Sequence, residues 1–208
     1  SSGKYKGVVN GEGISVFPNI YHSVLPFMND IIKIEGKGNK FGLKKLSGEV
    51  ILETKYDRID SLSELVFAVT LEGKLGFMNL KGETVIPFDY DAFDEEVAFY
   101  NGLACVKKSR DDGSYRFGYI DHRNEAVIPF QFSGAQTFKD KDYIENWITY
   151  PAGGDKSYTR DTYKLALDGT VLMVDSEHFE DTSWYKEWEA NHPYDESSRY
   201  NEDDGLDA

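Results

Sequence analysis

Residues 73–91 read GKLGFMNLKGETVIPFDYD, and this stretch decides the fold. It contains two apolar, β-branched runs, and glycine residues stand where the chain would turn back on itself. Short runs of this kind separated by glycine-containing turns are typical of antiparallel hairpins. With the preceding run, Leu65–Thr70, the stretch predicts one unit of three strands, the second over Leu75–Asn79 and the third over Glu83–Phe88.

The same pattern recurs along the chain, with steps of 35, 34 and 42 residues between aligned glycines. The aligned glycines are Gly7, Gly42, Gly76 and Gly118. Six residues later the chain has residues that tolerate a positive φ angle, and these are Gly13, Gly48, Gly82 and Asn124. Eight residues further on stands an aromatic column, Tyr21, Tyr56, Tyr90 and Phe132. Three residues before each aromatic are Pro18, Glu53, Pro87 and Pro129, and directly after it are His22, Asp57, Asp91 and Ser133. Several columns in register over four copies indicate an internal repeat.

The repeat predicts an all-β fold built from tandem three-stranded β-meander units. Further strands are expected at 31–35, 40–46 and 49–53 in one copy, and at 103–108, 115–121 and 125–130 in another. We expect copies to start near residues 4, 39, 73 and 115, with a degenerate copy near 160, and to form a curved solenoid-like or barrel-like array over residues 1–174. Each aromatic column residue is expected in the loop after its third strand, where the following Asp caps the turn.

These units resemble the bacterial WG-repeat family. The resemblance rests on three units: Asn39–Leu43 with Gly48–Ile51, Gly73–Asn79 with Gly82–Asp91, and Arg116–Asp121 with Val127–Phe130, the last preceded by Asn101–Val106. In place of the family's tryptophan this sequence has Lys6, Phe41, Leu75 and Phe117. The family is a β-rich repeat scaffold without shared catalytic residues, so the resemblance implies a binding platform and says little about what is bound.

Residues 175–208 differ from the repeats and form an acidic, aromatic segment. They hold twelve acidic side chains against two basic ones, and two of the three tryptophans of the chain. Thr182-Ser183 before residues 184–190 is a pattern that starts a short helix, which would end before Pro193. Two interpretations remain open: a cap that covers the last repeat, or a segment that docks a partner through acidic and aromatic side chains.

Composition excludes several classes of function. Lys and Arg number 23 against 37 for Asp and Glu, a formal charge of −14, which would repel nucleic acid and anionic membranes. The apolar runs are far shorter than the roughly 20 residues that a membrane-spanning helix requires. A single cysteine, Cys105, and a start without an apolar leader predict a cytoplasmic protein.

Catalytic, cofactor and metal signatures are absent from the sequence pattern. The four histidines have no ligand spacing and are His22, His122, His178 and His192. Cys105 lies in an apolar strand and is expected to be a small buried side chain. The acidic run of residues 89–96 could in principle supply a calcium site or a glycosidase carboxylate pair. We expect it instead to be solvated or to face a partner.

The sequence therefore predicts a protein without enzymatic activity or cofactor that binds another protein, most concretely an immunity protein that neutralises a basic toxin domain. Alternatives are a scaffold or carbohydrate-binding module and a hydrolase that uses paired carboxylates. The predicted partner-binding residues lie in two acidic loops and the C-terminal segment, and they are Asp94, Glu95, Glu96, Asp111, Asp112, Trp184, Tyr185 and Trp188.

Overall fold

A computed structural model describes residues 5–9, 11–138, 143–152 and 157–180. Apart from one 3-10 turn at Lys37–Asn39, the regular structure of these residues is antiparallel β-strand. The first two copies contain β1 (Lys6–Val9), β2 (Ser15–Tyr21), β3 (Ser23–Met28), β4 (Ile31–Glu35), β5 (Phe41–Lys45) and β6 (Val50–Tyr56). The next two contain β7 (Arg58–Ile59), β8 (Val66–Leu71), β9 (Lys74–Asn79), β10 (Thr84–Asp91), β11 (Phe99–Tyr100), β12 (Leu103–Ser109), β13 (Tyr115–Ile120) and β14 (Ala126–Phe132). The last contains β15 (Tyr143–Ala152), β16 (Ser157–Ala166) and β17 (Val171–Glu180).

The strands form four sheets, which confirms the predicted all-β repeat fold. The sheets are β1-β2, β3-β4-β5-β6, β15-β16-β17, and an eight-stranded sheet in the order β14-β13-β12-β10-β9-β8-β7, in which β11 pairs with β12. None of the sheets built from the described residues closes on itself, so the barrel-like alternative is not found there. The predicted cap helix at 184–190 lies outside the described residues.

Each aligned glycine lies opposite a bulge in the third strand of its copy. In the second copy Phe41 pairs with Tyr56 while Leu43 pairs with Leu52, so the third strand uses two extra residues over the same span. Gly42 stands at the centre of this irregularity. A Cβ atom there would lie 2.7 Å from the carbonyl oxygen of Leu52, which leaves no room for any side chain.

The same close approach recurs in the other copies. A Cβ on Gly76 would lie 2.8 Å from the Ile86 carbonyl oxygen, and one on Gly118 would lie 2.9 Å from that of Ile128. The positive-φ column is also confirmed, with φ values of 79°, 97°, 79° and 66° at Gly13, Gly48, Gly82 and Asn124. The repeat columns therefore mark the sites where the backbone requires a small or left-handed residue.

The aromatic column does not lie in a loop, and that prediction is wrong. The bulge lets the third strand continue, so the strands end at Tyr56, Asp91 and Phe132 rather than before the aromatic. The column residues Tyr21, Tyr56, Tyr90 and Phe132 are all buried. Tyr56 stacks on Phe88 of the next copy with ring centroids 6.4 Å apart, and Tyr90 stacks likewise on Phe130 at 6.1 Å. The aromatics therefore join successive copies through the core.

The residue after the aromatic connects each copy to the first strand of the next. The backbone N–H of Asp57 donates to the Thr70 carbonyl at 2.9 Å, and its carboxylate accepts the Glu72 N–H at 2.6 Å. In the following copy the backbone of Asp91 lies opposite that of Lys107 in the β10–β12 ladder, and the Asp91 carboxylate accepts the Ser109 N–H. The Asp carboxylates therefore accept backbone N–H groups of the next copy, and they do not cap the turn of their own copy as the sequence predicted.

The degenerate fifth copy lacks the glycine that lies opposite the bulge in the other copies. Gly169 keeps the positive φ, at 87°, but Tyr163 occupies the aligned position six residues earlier. There the register shift between β16 and β17 is a single residue, since Thr162 pairs with Asp175 and Tyr163 with Met173. β17 also continues to Glu180, past the boundary expected at residue 174.

Candidate binding cleft

A cleft of about 960 Å³ is lined by the loop after β10, by strands β12 and β13, and by the segment that follows β14. The loop contributes Asp94, Glu95 and Glu96, all of which are exposed. The opposite wall is formed by residues 133–137 together with Trp147 of β15. The cleft thus lies on the fourth copy, between the link from the third copy and the link to the fifth, and it contains three of the predicted partner-binding residues.

The acidic loop is held in place by an arginine and a buried carboxylate. Arg58 donates through Nη1 to the Phe93 carbonyl at 2.6 Å and through Nη2 to that of Glu95 at 3.0 Å. Asp60 accepts the Val97 N–H at 3.0 Å and a hydrogen bond from Nη2 of Arg58 at 3.1 Å, and it forms an ion pair with Arg58, whose Nε lies 2.8 Å from Oδ1. Burial raises the pKa of Asp60, although the Val97 N–H and the Arg58 guanidinium oppose the shift. The loop backbone is therefore fixed while Asp94 and Glu95 project outward.

A second, smaller hollow of about 340 Å³ lies on the other side of the loop. Asp94 and Glu96 line both spaces, and the smaller one also contains Lys33, Arg58 and Asp60. This side has two basic side chains against three carboxylates, whereas the larger cleft has one basic side chain against three. The larger cleft is consequently the side with the greater excess of negative charge.

Three aromatic rings and one lysine form the inner wall of the cleft. Phe93 and Tyr115 each meet Phe117 edge to face, with ring centroids 5.3 Å and 5.8 Å from it. The Lys107 ammonium lies 5.1 Å from the Tyr115 ring centre and 5.8 Å from that of Phe93. The three rings, Phe93, Tyr115 and Phe117, are called the aromatic cage below, and the Lys107 ammonium lies over two of them.

The far wall is fixed by close packing of Trp147 on a glycine. A Cβ atom on Gly134 would lie 2.1 Å from Cζ2 of Trp147, so the indole rests directly on the backbone. Arg160 places its guanidinium carbon 5.8 Å from the centre of the same ring. Trp147 is therefore a fixed wall of the cleft.

A buried hydrogen-bond network holds Gln136, which belongs to the same wall. The Asn146 side chain is fully buried; its Nδ2 donates to the Tyr119 hydroxyl at 2.6 Å, and its Oδ1 accepts the Gln136 N–H at 2.9 Å. The Tyr119 hydroxyl donates to the Gln136 carbonyl at 2.5 Å. Burial raises the pKa of Tyr119 and raises that of the neighbouring Cys105 to about 12. Cys105 is thus a small buried side chain, as the sequence predicted.

The other predicted partner-binding residues do not line the cleft. Asp111 and Asp112 are exposed at the tip of the β12–β13 hairpin. Asp112 accepts hydrogen bonds from the Ser114 hydroxyl at 2.6 Å and the Ser114 N–H at 2.8 Å, which lower its pKa. Its carboxylate is engaged in its own turn. The remaining three, Trp184, Tyr185 and Trp188, lie outside the described residues.

One further polar cluster was not anticipated from the sequence. Glu64 accepts the Gly102 N–H at 3.1 Å and contacts Nε2 of His122 at 2.8 Å, while His122 stacks on Phe99 at 4.0 Å. These contacts connect turns of successive copies and leave the cleft untouched. Within the described part of the chain, no group of three or more His, Cys, Asp or Glu side chains is arranged to hold a metal ion.

Comparison with known proteins identifies the repeat. The model of the family described as WG containing repeat matches residues 76–109 and 117–145, which contain the acidic loop, the aromatic cage apart from Tyr115, and the wall at 133–137. No curated protein matches the chain with significant similarity. A search of the described residues for a helix both long and apolar enough to cross a bilayer finds none. The third and fourth copies of this chain are therefore WG repeats.

Proposed function

We propose that this WG-repeat protein has no catalytic role and acts in the cytoplasm by binding another protein. Its most concrete role is that of a bacterial immunity protein that covers the basic surface of a toxin. The observation that carries the proposal is the fixed acidic loop: Arg58 and Asp60 hold its backbone, and Asp94, Glu95 and Glu96 stand exposed at the rim of the cleft.

Preorganisation supports binding through this loop. A loop that is already ordered loses little conformational freedom when a partner docks, so more of the contact energy appears as affinity. The bonds from Arg58 to two loop carbonyls and from Val97 to Asp60 supply that order before binding. The formal charge of −14 would in addition attract a basic partner and raise its association rate.

Two of the groups that could perform chemistry, the Cys105 thiol and the Asp60 carboxylate, are occupied by structural contacts. The Cys105 thiol is buried with a raised pKa, and Asp60 is committed to the loop backbone. A carbohydrate platform would call for exposed, regularly spaced aromatics, whereas Tyr56 and Tyr90 of the repeated column are only 6% and 4% exposed. Both observations favour the binding protein over the hydrolase and the carbohydrate module.

Affinity capture tests the proposal. The full chain with a tag should retain a basic protein from the native host, and co-expression should relieve the toxicity of that protein. The variant D94N/E95Q/E96Q should lose both effects. A matched control, D30N/E53Q/D89N, removes three exposed carboxylates from other strands and turns and should keep both. Equal capture and protection by the two variants would contradict a role for the loop.

A further inference from the structure

We propose that the aromatic cage is a receptor for an arginine side chain of the partner, and that Lys107 occupies this receptor in the free protein. The inference rests on the proposed function, because it names the chemical group that the cleft would receive. It goes further in assigning a pocket, a ligand group and an internal competitor.

The cage already holds a cation in the free protein. The Lys107 ammonium faces two rings, Tyr115 at 5.1 Å and Phe93 at 5.8 Å, within the range of a favourable cation–π contact. Phe117 touches both rings edge to face and fixes their spacing. A position that stabilises the chain's own ammonium would stabilise a cation supplied by a partner in the same way.

The carboxylates that line the cleft outnumber its basic side chains. Three carboxylates line it against the single ammonium of Lys107. Among the described residues, neither Asp94 nor Glu95 forms an ion pair, and Lys107 contacts rings rather than carboxylates. The cleft therefore has two carboxylates, those of Asp94 and Glu95, that can pair with an incoming cation beside rings that would cover the cation's flat face, whereas the Glu96 carboxylate accepts the Ser61 N–H at 3.1 Å.

Arginine fits the cleft better than lysine. A guanidinium is planar, stacks on aromatic rings and binds carboxylates through two parallel hydrogen bonds, which an ammonium cannot do. A volume of about 960 Å³ is large enough for an extended arginine with its flanking backbone. Arginine would thus gain both the ring contacts and the rim carboxylates, whereas Lys107 has the ring contacts alone.

The experiment uses the full chain and two blocked tripeptides, Gly-Arg-Gly and Gly-citrulline-Gly. Citrulline keeps the shape of arginine but has no charge. Backbone amide shifts measured by NMR during titration should change at residues 92–96, 107 and 115–117 with the arginine peptide, and should stay unchanged with the citrulline peptide.

Three variants separate the cage from general attraction to an acidic protein. Lys107→Met removes the competitor and should tighten binding about three- to fivefold, while Phe117→Leu should weaken it by a similar factor. D94N/E95Q/E96Q should weaken it at least tenfold, and the control D30N/E53Q/D89N should leave it unchanged. If Phe117→Leu does not fold, Lys107→Met still tests the receptor. Lys107 is only half-buried, so its replacement should leave the fold intact.

Shifts spread over the whole acidic surface, equal binding of the citrulline peptide, or weaker binding by Lys107→Met would overturn the arginine receptor. These outcomes are independent of the proposed function. A chain that captures its basic partner but ignores the arginine peptide refutes only the receptor. A chain that binds the peptide in the cage but protects against no toxin refutes only the immunity role.

Discussion

Replacing Gly76 by alanine should destabilise the fold because the new methyl group meets backbone atoms. Its Cβ would lie 2.8 Å from the Ile86 carbonyl oxygen and 3.1 Å from both the backbone N and the ring Cγ of Phe88. Contacts shorter than 3.4 Å require the neighbours to move, and overpacking of this kind costs about 1–3 kcal/mol. Movement of Phe88 would also weaken its stacking on Tyr56, worth about 0.5–1.5 kcal/mol. We therefore expect Gly76→Ala to lower the free energy of unfolding by about 2–4 kcal/mol.

Two matched glycines isolate the cause. Gly11→Ala would meet no atom within 4 Å and has no positive φ, so the expected change is below about 0.5 kcal/mol. Gly113→Ala also has open space but a φ of +79°, which should cost about 1–2 kcal/mol through backbone strain alone. Urea unfolding monitored by circular dichroism gives all three values. If Gly76→Ala were no more destabilising than Gly11→Ala, the explanation of the repeated glycine as a bulge partner would fail.

Three further predictions concern charge, burial and the support of the cleft. The hydrogen bond from Lys40 lowers the pKa of Asp57, so its contribution to stability is present above about pH 4 and is lost as the pH falls through the lowered value. Asp57→Asn should accordingly flatten the acid side of a stability–pH curve, and an unchanged curve would refute the pairing. The buried Cys105 should react with a thiol reagent at pH 8 at least about 100-fold more slowly in the folded protein than in urea; equal rates would show that the site is open. Asn146→Leu should cost about 2–3 kcal/mol in urea unfolding, because the buried Tyr119 hydroxyl loses a donor and the Gln136 N–H loses its acceptor. A loss under about 0.5 kcal/mol would contradict the network.

The repeat made much of the fold predictable. Alignment of the glycines located the turns and most strand starts, because turns place strict demands on φ angles that only a few residue types meet. The bulge was missed although its signal is present: the column of Pro18, Glu53, Pro87 and Pro129 lies within the bulge of each copy, and proline inside a strand marks an edge or a bulge. Because the bulge was not foreseen, the sequence pattern assigned the aromatic column to a loop, whereas these residues belong to the third strand and are buried in the core.

The site was predictable only in part. The exposed acids at 94–96 were anticipated from charge alone, but the residues that hold them were not, because Arg58 and Asp60 precede their loop partners by 35 to 37 positions. That distance is one repeat length, so contacts between equivalent points of successive copies are the signal that could have found them. The contact of Trp147 with Gly134 had no such signal, since it involves the degenerate copy where the spacing is lost.

Hydrogen exchange of the captured complex tests most directly whether a partner engages the cleft. The measurement compares amide exchange by mass spectrometry in the free full chain and in the complex with its partner. Binding at the cleft predicts slower exchange at residues 92–97 and 133–138, with little change at the 109–114 tip. Slower exchange confined to that tip or to residues 181–208, with 92–97 unaffected, would contradict it.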